Sequence, residues 1–156
     1  MYKINIVAVG TLKEKYFASA QEEYVKRLKK FCEIKVLEFQ EKKLNSSPGL
    51  LEIEKSLDEE YKMIAPSLKG KIVVCAVEGK SYSSEEFATL ISKSFDKDDT
   101  LTFVIGSSYG LSKKIKENNV LLSVSKMTLP HHLMRVVLEE QIYRAFTILN
   151  NTSYHK

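Results

Sequence analysis

Several residue types are scarce in this chain of 156 residues, and each absence excludes a class of protein. It has no tryptophan and only two cysteines, Cys32 and Cys75, which form no CxxC pair and have no histidine nearby. Neither a metal site nor a disulfide framework is therefore expected. No apolar run approaches the ~20 residues of a membrane helix. The first residues lack the basic region and long apolar stretch of a secretion signal, so we expect a cytoplasmic protein without a membrane partner.

Common nucleotide-binding and catalytic motifs are also missing. No GxGxxG follows the first predicted strand, and the turn Gly106–Gly110 has neither the spacing nor the lysine of a P-loop. HExxH does not occur. The sequence therefore does not predict a dinucleotide-binding domain, a P-loop NTPase or a zinc protease.

Charge becomes more basic toward the end of the chain. The formal net charge is +4, and the segment Thr100–Lys156 holds 7 basic residues, 3 acidic residues and all three histidines. A mildly basic C-terminal third is compatible with an anionic partner.

Apolar periodicity alternates between strand and helix along the whole chain. The predicted strands are Lys3–Gly10, Glu33–Phe39, Lys71–Val77, Leu101–Ile105 and Val120–Val124. The predicted helices are Lys13–Phe31, Leu50–Met63, one that Ser83 opens with capping-box spacing to Glu86, Leu111–Asn118 and His131–Leu149. This alternation predicts one α/β domain, residues 1–156, with a mostly parallel sheet and flanking helices.

The last predicted helix, His131–Leu149, is apolar on more than one side. One interpretation is a second packing surface, and hence a homodimer. The alternative is that this helix is buried inside its own domain.

Three strand ends are candidates for a ligand site, because ligands of open α/β sheets bind outside the carboxyl ends of the strands. They are the segments Cys75–Gly79, Ile105–Gly110 and Val124–Pro130. The glycines of the second segment let a ligand approach the backbone closely, although glycine often serves only to turn the chain. Pro130 suits a helix start, where anions are favoured, so His131 and His132 are either anion-site residues or plain surface residues.

Four stretches of sequence resemble one known family. They are INIVAVGTLKEKYF, VIGSSYGL, SVSKMTLPHHLMRVVLEEQIYRAF and the ending YHK. Together they resemble the bacterial 23S rRNA pseudouridine-N3 methyltransferase H family of the SPOUT superfamily, and the resemblance runs from Met1 to Lys156. It implies an α/β sheet with a C-terminal trefoil knot, S-adenosylmethionine as cofactor, and a homodimer that packs through its knot regions. The implied substrate is a pseudouridine in helix 69 of the 23S rRNA, on the assembled ribosome.

The resemblance also implies roles for individual residues. The methyl-donor site maps to Cys75, Gly106, Val124, Ser125, Lys126, Met127, Thr128 and Leu129, and the catalytic group maps to Arg135, Tyr154 and His155. The chain departs from the family at two positions. Ser107 stands where a second glycine is usual, and Cys75 stands where leucine is common.

Methylation at N3 must remove an imide proton and align the nitrogen with the methyl group. His155 is the expected base, with Glu140 as a weaker alternative, because histidine titrates near ~6.5. Arg135 would stabilise negative charge or hold a phosphate, unless it only pairs with a glutamate one turn away. Tyr154 would stack on the nucleobase or orient it. The tail that holds Tyr154 and His155 would become ordered only when RNA binds. Candidate phosphate contacts are Lys113, Lys114, Lys116, Lys126 and Arg144.

Two other functions remain open at this stage. One is a different α/β enzyme with a nucleotide-like cofactor at the same strand ends. The other is a ribosome-binding module that has lost its methyl-donor site.

Overall fold

The computed structural model describes residues 1–156, with five strands and five α-helices in alternation. The strands are β1 (Lys3–Val9), β2 (Glu33–Phe39), β3 (Lys71–Ser81), β4 (Thr100–Ile105) and β5 (Val120–Ser123). The helices are α1 (Lys15–Leu28), α2 (Leu50–Ile64), α3 (Ser84–Ser94), α4 (Lys113–Lys116) and α5 (His131–Leu149), with a 3₁₀ turn at Ala65–Ser67. No helix is long and apolar enough to cross a membrane.

All five strands form one parallel sheet in the order β2-β1-β4-β3-β5. This confirms the predicted α/β class and parallel sheet. The central strands β1 and β4 are almost continuously apolar because helices cover both of their faces. Since the strands are parallel, their carboxyl ends lie at one edge of the sheet, and the loops that follow them meet there.

The sheet separates two hydrophobic cores. On one face, β1 residues such as Ile4 and Ile6 pack with α1, α3 and α5. On the other face, Val7 and Val9 pack with Ile64 of α2 and Ile115 of α4. Residues of β1 thus alternate between the two cores, as the period of a strand requires.

Strand β3 is longer than predicted. We expected it to end at Val77 before Gly79, but it continues to Ser81 with a shift of register against β5 between Cys75 and Lys80. A Cβ on Gly79 would lie 2.7 Å from the carbonyl carbon of Leu121, so glycine lets the two backbones approach at this irregularity. The residues between the two registers leave the ladder at the carboxyl edge of the sheet.

Helix boundaries follow the capping chemistry. The predicted capping box of α3 is confirmed, because Glu86 N–H donates to Ser83 Oγ at 3.1 Å and Ser83 N–H donates to Glu86 Oε2 at 2.8 Å. Helix α4 is only Lys113–Lys116, shorter than predicted, and begins where Ser112 Oγ accepts from Lys114 N–H.

Helix α5 has the predicted bounds and packs between α1 and α3. Its buried residues include Leu138, Ile142 and Phe146, all within the core of its own domain. Most of the broad apolar face is therefore explained inside one chain, and the homodimer stays a prediction.

One residue on this buried face lacks any polar partner. Glu139 has no exposed surface, and neither of its carboxylate oxygens has a hydrogen-bond partner. Burial raises its pKa to about 8, although the charge of Arg135 acts in the opposite direction. An unpaired carboxyl group in an apolar environment costs free energy in either protonation state.

We expect Glu139→Leu to raise the free energy of unfolding by about 1–3 kcal/mol, because it removes an unsatisfied buried polar group. Since the folded pKa lies above the ordinary value, the folded state keeps a proton that the unfolded state releases. Wild-type stability should therefore fall relative to the variant as pH rises from about 4.5 to about 8. Urea unfolding at several pH values measures both effects.

The matched control for this experiment is Glu140→Leu. Glu140 accepts from Tyr154 Oη at 3.0 Å and from Gln141 Nε2 at 2.8 Å, so leucine there should destabilise the fold. A loss of stability in Glu139→Leu would contradict the interpretation.

Candidate functional site

A large cavity lies at the carboxyl edge of the sheet, with a volume of about 1240 Å³. Loops that follow all five strands contribute to it. Its lining includes Gly10, Thr11 and Lys13 after β1, Gln40 to Leu44 after β2, Cys75 to Glu78 of β3, Ile105 to Leu111 after β4, and residues between Val124 and Met134 after β5.

The structure brings together most of the predicted methyl-donor residues. Cys75, Gly106, Val124, Ser125, Met127, Thr128 and Leu129 all line this cavity. Lys126 does not line it and is exposed. The three strand-end segments predicted from sequence thus share one cavity, while their role in binding a cofactor stays a prediction.

The turn after β4 is narrow because of Gly106. A Cβ at Gly106 would lie 2.3 Å from the carbonyl oxygen of Gly110, which the turn cannot accommodate. Gly110 has a φ of +89°, a conformation that glycine adopts without strain. Ser107 is not among the residues with positive φ, so a serine in place of the family's second glycine fits without backbone strain.

Cys75 contributes a neutral wall to the cavity. Burial raises the pKa of its thiol to about 12, so the group is not a thiolate at neutral pH. The side chain therefore acts as a small apolar surface, as leucine would.

His131 closes the bottom of the cavity at the start of α5. Its Nδ1 lies 2.9 Å from the carbonyl oxygen of Gly106, so Nδ1 carries the proton that is donated. Its Nε2 is buried without a partner. Burial lowers the pKa of the ring, and the nearby Arg135 and His132 add to this effect. His131 is therefore a neutral acceptor at Nε2 and not the cationic anion site considered from sequence.

Arg135 requires a correction. It was expected to reach a phosphate or a developing negative charge, but its side chain is fully buried. Its guanidinium donates to Glu38 Oε2 at 2.6 Å, to Gln21 Oε1 at 2.7 Å and to the carbonyl oxygen of Gly10 at 3.3 Å. The alternative pairing with Glu139 is also wrong, because Glu139 has no partner. Arg135 joins α5 to the strand ends and does not line the cavity.

The C-terminal tail is docked in this structure, whereas a mobile tail was expected. Asn151 takes the left-handed conformation with φ of 54°, and Thr152 N–H donates to Thr147 O while Asn151 N–H donates to Ile148 O. These bonds form a Schellman motif, which reverses the chain after α5. The tail then folds back along α5.

The docked tail packs against the outer side of α5. Tyr154 Oη donates to Glu140 Oε1 at 3.0 Å, and burial with this bond raises the pKa of Tyr154 to about 12. His155 lies 3.2 Å from Arg144 Nη1 through Nδ1 and 2.8 Å from Glu85 Oε1 through Nε2. Since arginine can only donate, Nδ1 accepts and Nε2 donates its proton to Glu85.

Tyr154 and His155 do not line the cavity of their own chain. His131 lies at the cavity and Arg144 lies thirteen residues further along α5, a separation of about 20 Å at the helical rise. His155 contacts Arg144 and Glu85, and neither of these residues lines the cavity.

The predicted phosphate contacts divide into paired and free groups. Lys114 and Lys116 pair with Asp58 and Glu78, and Arg144 pairs with Glu140. Lys113 and Lys126 are exposed and have no ion pair. The remaining cationic side chains at the cavity are Lys13, Lys42 and Lys43.

The loop after β2, residues 40–44, is not among the segments predicted from sequence. It follows the carboxyl end of a parallel strand just as the three predicted segments do. The same strand-end rule would have identified it.

The cavity suits a cofactor built like S-adenosylmethionine. Val124, Met127 and Leu129 give apolar surface for an adenine ring, and loop backbone groups are available for its polar edge. The volume of about 1240 Å³ is sufficient for a ligand of this size.

Comparison with known proteins extends this result to the whole chain. The family described as "Predicted SPOUT methyltransferase" matches residues 2–155. The chain belongs to the SPOUT methyltransferase family. Proteins named ribosomal RNA large subunit methyltransferase H are similar over their full length. That of Caldicellulosiruptor bescii is 44% identical over 98% of this chain and 99% of the relative. That of Limosilactobacillus reuteri is 43% identical over the same shares.

Membership of the SPOUT methyltransferase family identifies the chain as a methyltransferase. The candidate place for the methyl donor is the cavity at the sheet edge, where the three predicted segments meet. Arg135 supports this cavity indirectly, through its hydrogen bonds to Glu38, Gln21 and Gly10.

We expect Arg135→Met to lower the free energy of unfolding by about 2–4 kcal/mol, because it removes charged hydrogen bonds from a buried position. The control is Arg27→Met, whose exposed pair with Glu23 should contribute less than about 1 kcal/mol. Denaturant unfolding measures both. If Arg135→Met kept wild-type stability but lost activity, the side chain would act directly in the reaction.

Proposed function

We propose that this chain is an S-adenosylmethionine-dependent methyltransferase that modifies N3 of a pseudouridine in helix 69 of 23S rRNA, on the assembled ribosome in the cytoplasm. The observation that carries the proposal is the meeting of three predicted methyl-donor segments in one cavity. The relatives that match over their full length are named for methylation of large-subunit rRNA. The C-terminal trefoil knot that the family resemblance implies belongs to the same proposal.

The cofactor, when bound, supplies an electrophilic methyl group on its sulfonium. The protein's task is to align N3 with that group and to remove the imide proton. Main-chain groups of the Gly106–Gly110 turn and the apolar wall at Val124–Leu129 would fix the cofactor's position. The neutral His131 holds the turn through Gly106 and adds no positive charge beside the cationic sulfonium.

His155 is the proposed base, with Tyr154 positioning the nucleobase. In the docked tail, Nδ1 of His155 already accepts from Arg144, so the ring must change partners before it takes a proton. Its other bond is to Glu85, whose side chain is 63% exposed, and such surface pairs contribute little. Glu140 is less suited as a base, because Tyr154 and Arg144 already donate to it.

The position of the tail outside the cavity favours a homodimer in which each tail serves the partner's cavity. His155 does not line its own chain's cavity, and it contacts Arg144, which lies about 20 Å along α5 from His131. Val77, Tyr109 and Met127 line the cavity mouth and are 48%, 45% and 77% exposed, which leaves apolar surface for a second copy. Pairing of two copies through this region would cover that surface and unite the two halves of the site.

Lysines around the cavity would contact RNA phosphates. Lys13, Lys42 and Lys43 line it, and Lys126 is exposed beside it. Binding to ribosomes should therefore weaken as salt concentration rises. The modest net charge of +4 leaves much of the specificity to the shape of the ribosome.

The two alternatives from sequence make different predictions. A ribosome-binding module would associate with ribosomes without binding the cofactor. An α/β enzyme with another nucleotide-like cofactor would prefer that cofactor in a ligand screen, and membership of a methyltransferase family weighs against it.

Calorimetric titration with S-adenosylmethionine should give saturable binding, because the cavity is preformed by the sheet edge. A radiolabelled methyl-transfer assay on ribosomes that lack the modification should then place label in the 23S rRNA. Ribosome binding without cofactor binding would instead support the module, and label at another nucleotide would refute the proposed position.

His155→Ala should leave cofactor affinity within about twofold and lower methyl transfer by about 10²–10⁴-fold, the usual contribution of a general base. Calorimetry and single-turnover transfer separate the two effects. Full activity in this variant would overturn the assignment of the base.

Mixed dimers test whether the tail acts across the interface. Gly106→Ala should close the cavity, because its Cβ meets the Gly110 carbonyl oxygen. Mixing Gly106→Ala with His155→Ala chains should restore transfer, since one site per mixed dimer then has an intact cavity and an intact partner tail. Circular dichroism checks that each variant folds. No restoration in confirmed mixed dimers would mean that each tail serves its own chain.

A further inference from the structure

One carboxylate of α2, that of Glu60, accepts hydrogen bonds from two of the loops that line the cavity. Glu60 is only 3% exposed, and its Oε1 accepts from Ser107 Oγ at 2.9 Å. Its Oε2 accepts from Lys42 N–H, also at 2.9 Å. One side chain thus binds the loop after β4 and the loop after β2, which have no covalent link near this point.

Neighbouring bonds join the same two loops to each other and to α2. Ser108 N–H donates to Glu41 Oε1 at 3.1 Å, directly between the loops. Ser112 Oγ donates to Asp58 Oδ1 at 2.6 Å, half a turn before Glu60 on the same helix. Of the three carboxylates in these bonds, only that of Glu60 is buried.

Glu60 itself does not line the cavity, whereas Lys42 and Ser107 do. We propose that Glu60 is a positioning residue for the methyl donor, which sets the separation of the 40–44 and 106–111 loops across the cavity. This inference rests on the proposed function, since it concerns the same cofactor. Glu60 acts through the two loops and not by touching the ligand.

The chemistry of the position supports this role. Burial raises the pKa of Glu60, while the bonds from Lys42 and Ser107 act in the opposite direction. A buried carboxylate carries a desolvation cost, which an apolar side chain of the same size would not have. What the carboxylate provides in return is two hydrogen-bond acceptors. The two carboxylate oxygens offer one acceptor to each loop.

Ser107, which donates to Glu60, is also the position at which this chain departs from the family pattern. The second glycine of the family pattern has no hydroxyl group to offer. Without Glu60, the nearest acceptor for Ser107 Oγ is the Gly110 carbonyl oxygen at 3.5 Å. The serine therefore adds a bond that a Gly–Gly turn lacks, and Glu60 receives it.

The first test compares three variants by calorimetry with S-adenosylmethionine. Glu60→Met keeps the size but removes both acceptors, and should weaken binding at least about tenfold. Glu60→Gln keeps an acceptor oxygen for Lys42 N–H and can donate to Ser107, so binding should stay within about threefold of wild type. The control Glu59→Met removes only the exposed pair with Lys42 Nζ and should bind as wild type does.

Kinetics and a double-mutant cycle separate positioning from general loss of structure. With Glu60→Met, the KM for S-adenosylmethionine should rise while kcat at saturation stays within about threefold. Ser107→Ala alone should weaken binding less than Glu60→Met, because the bond to Lys42 remains. The double variant should resemble Glu60→Met alone, since the two changes remove the same contact.

Glu60→Asp is a second variant that disrupts the hydrogen bonds to the two loops, and it preserves the charge. Its shorter side chain cannot reach both loops, so it should weaken cofactor binding even if the methionine variant fails to fold. Wild-type affinity in Glu60→Asp or Glu60→Met, an equal loss in Glu59→Met, or strict additivity in the cycle would each overturn the inference. If the wild-type chain itself bound no S-adenosylmethionine, the proposed function would fail and this inference with it.

Discussion

The buried guanidinium of Arg135 is the interaction on which the geometry of the sheet edge depends. It is a charge with no exposed surface, and so it must find partners within the fold. Those partners come from three elements: Gln21 on α1, Glu38 at the end of β2 and the Gly10 carbonyl oxygen after β1. Because Arg135 lies one turn after His131, these bonds also hold His131 against the turn after β4. The cavity is thus built on a fixed helix start.

Local chemistry explains which features sequence could predict. Apolar periodicity gave all five strands and the bounds of α5, and the strand-end rule gave three of the loops around the cavity. Prediction from sequence failed where the interacting residues are distant along the chain. Glu38 is 97 residues from Arg135, whereas Glu139, the alternative partner at i+4, has no partner. Gly79 predicted a strand end, but its small size instead allows β3 to continue alongside β5.

The tail shows the same limit in a different form. A short polar terminus ordinarily predicts mobility, because little apolar surface is available to order it. Here the left-handed Asn151 directs the chain back along α5, and the Tyr154 ring packs edge-on against Tyr143 at 4.8 Å with Arg144 over its face. Aromatic packing, which composition alone does not locate, gives the tail a defined position.

The two halves of the proposed chemistry are held with different firmness, and this difference suits their roles. The methyl-donor side lies on the sheet edge, where Gly106 packs against Gly110 and His131 without room for a Cβ. The proton-transfer side lies on a tail in which Tyr154 is anchored by packing, but His155 is held partly by the exposed Glu85. Exchanging that exposed bond costs about 1 kcal/mol or less. The bond from Arg144 to Nδ1 is therefore the one that the proposed proton transfer must exchange, while the turn at Gly106 stays fixed.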